Sequence, residues 1–274
     1  MTRRFRQVDV FSERLGYGNP LAVVADADGL DDEAMAHFAR WTNLSETTFL
    51  LTPTMPNADY RVRIFTPGGE LPFAGHPTLG TCHTWLALGG RPRDDRMVQE
   101  CAAGLVVLRR DGEALSFAAP PLRRSEVPAE ILGRVVTALG IHPSVVLRSQ
   151  VLDNGPDWVT LQLDSAEAVL AVERSAAATL PYKVGLVGAH AAGDADVEVR
   201  AFASMVGVPE DPVTGSLNAS IAQWLVPEGV LPSSYVAAQG TTLGREGRVR
   251  ITVDDEATWV GGRVTSGVEG TLAL

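Results

Sequence analysis

Short runs of apolar and β-branched residues, punctuated by Gly, Pro, Asn and Asp, dominate the chain. Residues 5–11 read as a first strand, and residues 21–25 as a second, behind the turn Gly16-Tyr17-Gly18-Asn19-Pro20. Asp31-Asp32-Glu33 opens a helix running to about Trp41, with its acidic residues at the positive end of the helix dipole. Strands are expected at 47–52 and 60–65, then a helix at about 77–88 that Gly89-Gly90 ends. Short strands follow at 98–101, 105–109 and 114–117. Past Ala119-Pro120-Pro121-Leu122, the best candidate linker, the pattern predicts a helix at 128–139 and strands at 145–151 and 158–163. A helix near 166–174 and strands near 183–187 and 197–202 come next. A helix at about 215–226 and strands at 234–238, 248–253 and 258–264 complete the reading.

The order of elements repeats. Pro20-Leu21-Ala22-Val23 resembles Pro156-Asp157-Trp158-Val159, and Val62-Arg63-x-Phe65 resembles Val199-Arg200-x-Phe202. Pro72-x-x-Gly75 matches Pro212-x-x-Gly215. These offsets, 136, 137 and 140 positions, are nearly constant, as an old duplication would leave them. Each copy follows an extended segment and runs into an apolar helical pattern with a Trp-Leu pair, Trp85-Leu86 and Trp224-Leu225. Both tryptophans are read as core residues of those helices. A glycine at a helix start leaves backbone N–H groups pointing outward, and these hold an anion such as a carboxylate. The expected division is 1–119 and 120–274, with the last strand free to return to the first half.

Composition narrows the partners. A net charge of −10 over 274 residues argues against nucleic acid as the main partner, since phosphate binding needs a basic surface. Two cysteines, Cys82 and Cys101, make no disulfide framework and fit a reducing cytoplasm. No run of about 18 apolar residues exists, and the N-terminus reads as a strand and not as a signal peptide, so no membrane association is expected.

Several tempting motifs fail. Gly16-x-Gly18 precedes Asn-Pro and no helix, so the dinucleotide fingerprint lacks its context. Walker-type Gly-Lys-Ser/Thr and Gly-x-Ser-x-Gly runs are missing. His76 and His83 share a helical face beside Cys82, but a metal site needs a further ligand, and no metal is expected.

The segments Gly18-Asn19-Pro20-Leu21-Ala22-Val23-Val24, Asn43-Leu44-Ser45-Glu46-Thr47, Glu70-Leu71-Pro72-Phe73-Ala74-Gly75-His76-Pro77-Thr78-Leu79-Gly80 and Glu210-Asp211-Pro212-Val213-Thr214-Gly215-Ser216 lie in order along the chain. With Arg63-Ile64-Phe65-Thr66-Pro67, Gln239-Gly240 and Val260-Gly261-Gly262, they resemble the PhzF-like (phenazine-biosynthesis-type) isomerase family, relatives of diaminopimelate epimerase. The resemblance implies an α+β fold of two pseudo-symmetric open β-barrel halves, each around a central helix, with the active site between them. It also implies a homodimer and no cofactor. The epimerase relatives use a cysteine at each helix start. Here those places hold Ala74-Gly75-His76 and Thr214-Gly215-Ser216, so two-thiol racemisation is not supported. The resemblance makes Glu46 the proton carrier. The corresponding region of the second half, Pro181-Tyr182-Lys183, has no obvious partner carboxylate, which favours a proton shift over stereoinversion.

On the residues alone Glu46 is a capping or strand-edge carboxylate; with the resemblance it is the general acid/base. His76 either fills a helix N-terminal position or positions substrate and helps move a proton, and Asp211 either braces the turn before Pro212 or does the same. Gly75, Gly215 and Ser216 are the expected carboxylate holders, with Ser216 also a candidate N-cap, and Asn19 either bonds substrate or shapes its turn. The expected activity is a cofactor-independent isomerisation by proton shift on a small carboxylic acid. The alternatives are an amino-acid racemase or epimerase, and a non-catalytic small-molecule binding protein on the same fold. Where the family often has a Ser-Ala-His-Cys-type run, this chain has Ser216-Leu217-Asn218-Ala219-Ser220, which alters one wall of the site.

Overall fold

A computed structural model describes residues 1–274, apart from the side chain of Val206. The chain forms two compact units. The first is Met1–Ala118 with Gly261–Leu274, and the second is Ala119–Val260.

In the first unit, β1 (Thr2–Val10) pairs antiparallel with β2 (Asn19–Val24). Helix α1 (Asp32–Thr42) then crosses over to β3 (Thr47–Leu51), which lies parallel to β2. Asp31 caps α1 through its carboxylate on the Ala34 N–H, and Met35, Phe38 and Ala39 form the helix's buried stripe. Phe38 meets Phe49, and Phe49 meets Phe65, both edge-on. Next come β4 (Tyr60–Thr66), antiparallel to β3, and the short β5 (Gly69–Leu71). Helix α2 (Gly75–Ala87) follows, and then β6 (Arg96–Cys101), β7 (Gly104–Asp111) and β8 (Ala114–Ala118). β6 lies parallel to β4, and β7 pairs antiparallel with both its chain neighbours.

Helix α2 sits at the centre of this unit, packed against β1, β2, β3, β4, β6 and β8. It lies so close to β1 and β2 that a Cβ on Gly80 would fall 2.6 Å from Leu21 Cδ2. The helix begins two residues earlier than expected. Pro77 lies inside its first turn, where a missing N–H costs nothing and the fixed φ suits the helix. Of the two tryptophans, Trp224 is buried but Trp85 is only half-buried, tilted against the Tyr60 ring at 5.1 Å.

The second unit opens with β9 (Arg123–Ser125) and α3 (Ala129–Ala138). It then runs β10 (Val146–Asp153), β11 (Asp157–Leu163), α4 (Ala166–Leu170), β12 (Val184–Ala189), β13 (Val197–Ala203), β14 (Val208–Asp211), α5 (Gly215–Leu225), β15 (Ser234–Gln239) and β16 (Gly247–Val253). Its pairings reproduce the first unit's. β10 and β11 are antiparallel, β11 and β12 parallel, β12 and β13 antiparallel, and β13 and β15 parallel, with β14 a short return on β13. The registers coincide as well: Ala22 faces Thr47 and Thr47 faces Phe65 in one unit, while Val159 faces Val184 and Val184 faces Phe202 in the other. Each partner is 137 positions on, so the repeat read from the sequence extends to the hydrogen-bond ladder.

Three expectations need correction. The helix read at 166–174 stops at Leu170 and gives way to a 3₁₀ segment, Arg174–Thr179. The Arg200 guanidinium donates to the carbonyls of Val169 and Val172, groups that a continuing helix would have used for its own ladder. The strand read at 258–264 is two strands, β17 (Thr258–Gly262) and β18 (Val264–Ala273). β18 pairs along the whole of β1, although residues 266–271 are all exposed and show no strand-like alternation. The short strands β5, β9 and β14 had no signal in the apolar pattern.

Candidate active site

In the first unit the candidate residues sit on or beside strands packed against α2. Asp9 on β1 is buried and accepts from the N–H groups of Gly16 and Gly18, the latter at 3.0 Å. A Cβ at Gly18 would lie 2.2 Å from the Val10 carbonyl, so only glycine fits. That loop delivers Asn19, fully buried, at the start of β2. Glu46 immediately precedes β3, whose parallel register with β2 brings it alongside the Asn19-Pro20 end of that strand. Gly75 and His76 are the first two residues of α2.

These elements converge on one contact: His76 Nε2 lies 3.5 Å from Glu46 Oε2, with the two side chains 5% and 16% exposed. His76 also hydrogen-bonds the backbone of Pro20. Proline has no N–H, so the ring must donate to the carbonyl. Nε2 has no hydrogen-bond partner, so the donor is Nδ1. Burial pulls His76 down to about 3, and the ring is therefore neutral at physiological pH. The contact is thus not an ion pair. An imidazole lone pair, fixed by its tautomer, faces a carboxyl oxygen.

In the second unit, Asp211 ends β14 and Thr214 is the N-cap residue of α5. Ser216 is therefore the second helical residue and not the cap. The Thr214 hydroxyl donates to Asp211 Oδ2 at 2.6 Å. Buried Gln239 on β15 ties the same turn from below. Its Oε1 accepts from the Thr214 N–H and Asn218 Nδ2, both at 2.9 Å, and its Nε2 donates to the Asp211 carbonyl. Asn154 Nδ2 donates to the Ser216 carbonyl at 2.9 Å. Asp211 thus braces the turn into α5. The two helix starts share two properties: neither N-cap side chain bonds the first turn, and neither first turn holds an acidic residue. Both leave the positive end of a mostly buried helix without an anionic side chain of its own.

The structure therefore brings Asn19, Glu46, Gly75 and His76 together in the first unit. Asp211, Gly215 and Ser216 are neighbours in the second. Register decides what stands opposite Glu46 in the repeat: Glu46 precedes Thr47 as Lys183 precedes Val184, so a lysine, paired with Asp157 at 3.8 Å, takes the carboxylate's place. A second duplicated device escaped the sequence reading. Arg63 on β4 grips Glu70 on β5 through two bonds, and Arg200 on β13 grips Glu210 on β14 in the same way. Each pair fixes the short strand that leads into a helix start. Its signal was present, since Arg63 and Arg200 are 137 apart and Glu70 and Glu210 are 140 apart.

Neither cysteine offers a thiolate. Cys82, inside α2, is pushed up to about 12 by burial, and burial also raises Cys101. His83 bonds Ser266 Oγ at 2.9 Å. Among the described residues no three His, Cys, Asp or Glu side chains are grouped to hold a metal, and no helix is long and apolar enough to cross a membrane.

Comparison with known proteins gives the family. Residues 8–270 match the family model of phenazine biosynthesis-like (PhzC-PhzF) proteins. The chain is 35% identical over 255 residues to a trans-2,3-dihydro-3-hydroxyanthranilate isomerase of Pseudomonas aeruginosa, covering 90% of this chain and 88% of that one. It is 37% identical over 287 residues, 97% of each chain, to antisense-enhancing sequence 1 of Schizosaccharomyces pombe. A solved structure of a predicted epimerase from Pseudomonas aeruginosa superposes with a TM-score of 0.82 at 30% identity, over 99% of both chains. The paired registers, the helix starts and the match over nearly the full length make one conclusion: this chain belongs to the phenazine biosynthesis-like PhzC-PhzF family, a family of isomerases, with the α+β diaminopimelate epimerase-like fold.

Proposed function

We propose that the protein moves a proton between two carbons of a small carboxylic acid, without a cofactor, using Glu46 as the only general acid/base. The observation that carries this reading is the 3.5 Å approach of Glu46 to a neutral His76 at the start of a buried helix. In the forward step the Glu46 carboxylate takes a carbon-bound proton. The C–H pair forms a new double bond, the existing double bond moves on, and the remote carbon takes the proton back from Glu46. No electrons are gained or lost overall.

His76 is too weak a base to store that proton. Its role is to accept a hydrogen bond, from protonated Glu46 or from a donor group of the substrate. The Gly75 N–H holds a carboxylate oxygen and stabilises the charge that develops on deprotonation, and the Gly215 and Ser216 N–H groups offer an anion the same kind of hold at the start of α5. Asp211 keeps the α5 start in shape, and Asn19 bonds the substrate's polar groups. Support for a shift over a stereoinversion comes from Lys183, which occupies the register position where a second acidic base would stand. The relatives' name directs the substrate class: a cyclic acid bearing amino and hydroxyl groups. We also propose a homodimer, which sedimentation would report as twice 29.1 kDa.

The test is incubation in D₂O with trans-2,3-dihydro-3-hydroxyanthranilate and a panel of related cyclic amino and hydroxy acids, followed by mass spectrometry and chiral analysis. Wild type is expected to place deuterium at one new carbon. Glu46→Gln is expected to lose about 10²–10⁴-fold in rate. Exchange that survives this substitution unchanged would remove Glu46 as the base. Inversion at the carbon that lost the proton would establish the racemase reading. Tight binding with no exchange in wild type would establish the binding-protein reading.

A further inference from the structure

Glu46 lies in the loop 43–46, between the C-terminus of α1 and the first residue of β3. Such a loop would ordinarily be free to shift a side chain by an ångström or more. Here its two ends are tied. Thr42, the last residue of α1, and Thr47, the first of β3, bring their hydroxyls to 2.8 Å. The direction of that bond is fixed. Thr42 Oγ1 donates to the Ala39 carbonyl at 2.9 Å, so the shared hydrogen belongs to Thr47, which donates to Thr42. Between the ties Asn43 adopts a left-handed conformation, φ 53°, and its N–H returns to the Ala39 carbonyl. Thr47 is fully buried.

A second tie runs from the helix that carries His76. Thr81 on α2 donates to Thr48 Oγ1 at 2.9 Å, and both hydroxyls are buried. Thr47 and Thr48 are consecutive on β3. One therefore faces α1 and the other faces α2, as the alternation of a strand requires. Two hydroxyl bonds thus hold the residues just after Glu46 against both helices, and one of those helices presents His76 to Glu46.

We propose that the Thr42–Thr47 clasp, backed by the Thr81–Thr48 bond, is a positioning device that sets the distance from the Glu46 carboxyl to His76 and to the reacting carbon. This rests on Glu46 being the base. Thr42 and Thr47 are positioning residues and touch no reacting atom.

The experiment uses the full chain with Thr47→Val, which keeps shape and β-branching but removes the hydroxyl, and Thr47→Ser, which restores it. Thr42→Val is the second variant, should the change at buried Thr47 impair folding. The first readout needs no ligand: high-resolution crystal structures. In Thr47→Val the Glu46 Oε2 to His76 Nε2 separation is expected to widen by about 1 Å, or the carboxylate to occupy more than one position, and Thr47→Ser is expected to restore the single contact. The second is deuterium exchange into trans-2,3-dihydro-3-hydroxyanthranilate. There kcat is expected to fall by about tenfold or more in Thr47→Val, with KM within twofold and with recovery in Thr47→Ser.

An unchanged Glu46–His76 separation overturns the proposal. So does an unchanged kcat in a Thr47→Val protein when Glu46→Gln is inactive, and this leaves Glu46 as the base. Full activity of Glu46→Gln overturns the reading of the base itself, and the clasp's purpose with it.

Discussion

His76 shows how much one side chain takes from its surroundings. In water an imidazole near pH 6.5 would be a ready proton carrier. Here burial lowers it to about 3 while the Pro20 carbonyl fixes its tautomer. The consequence for stability has a definite sign. Between pH 6.5 and about 3 the unfolded chain binds a proton at His76 that the folded chain refuses, so acidification through this window favours unfolding. Below about 3 the effect is complete. At about 1.4 kcal/mol per pH unit, the whole window is worth on the order of 5 kcal/mol. Substituting His76→Asn is expected to flatten this part of the stability curve, as read from urea midpoints at several pH values. The pH profile of kcat/KM should likewise show no limb from His76 between pH 5 and 8.

At the scale of elements, the duplicated arginine–glutamate grips offer a controlled comparison. Arg200 and Glu210 are each 1% exposed, whereas Arg63 is 18% and Glu70 35% exposed. Breaking a buried pair leaves a charge without a partner, which costs about 3–5 kcal/mol, whereas a pair with access to water contributes about 1 kcal/mol or less. Arg200→Met is therefore expected to be the more damaging by several-fold in denaturant unfolding, and the double change Arg200→Met with Glu210→Leu to regain much of the loss. Arg200 also takes the Val169 carbonyl of α4 and the Val172 carbonyl just past it, so the same variant should show faster amide exchange at 169–176. Equal losses at Arg63 and Arg200 would refute the dependence on burial.

The molecule as a whole is threaded in a way that makes its C-terminus structural. The second unit is inserted in the first, and β18 returns to pair with all of β1. Met1 and Leu274 exchange backbone hydrogen bonds at the end of that ladder. A chain ended at Val260 would leave the nine-residue β1 paired only with β2 and open along its other edge, even though most of β18 is exposed and buries little. Such a truncation is expected to aggregate or to melt in two steps with the first unit lost early, as followed by circular dichroism and gel filtration. A single transition at the wild-type temperature would mean that β18 is dispensable.

What the chain dictates locally was legible without coordinates. Residues 32–42 carry their own cap and apolar stripe, and the glycine-led helix starts and the near-constant offsets revealed two related halves, because a helix start, a turn and a buried strand each have a residue signature of short range. Glu46 was legible only through resemblance, since a carboxylate beside an apolar strand looks the same whether it caps or catalyses. The lysine in Glu46's place could be read from the repeat offset, but the approach of Glu46 to a residue thirty positions on and the neutrality of that histidine were decided by the packing of α2 against β2 and β3 and by burial, which sequence spacing does not encode. The early end of α4 and the existence of β18 were settled in the same way, by an arginine from β13 and by the open edge of β1. Short-range patterns set which segments become helix or strand; the pairing of distant segments sets which polar groups meet in the absence of water, and it is there that their chemistry is determined.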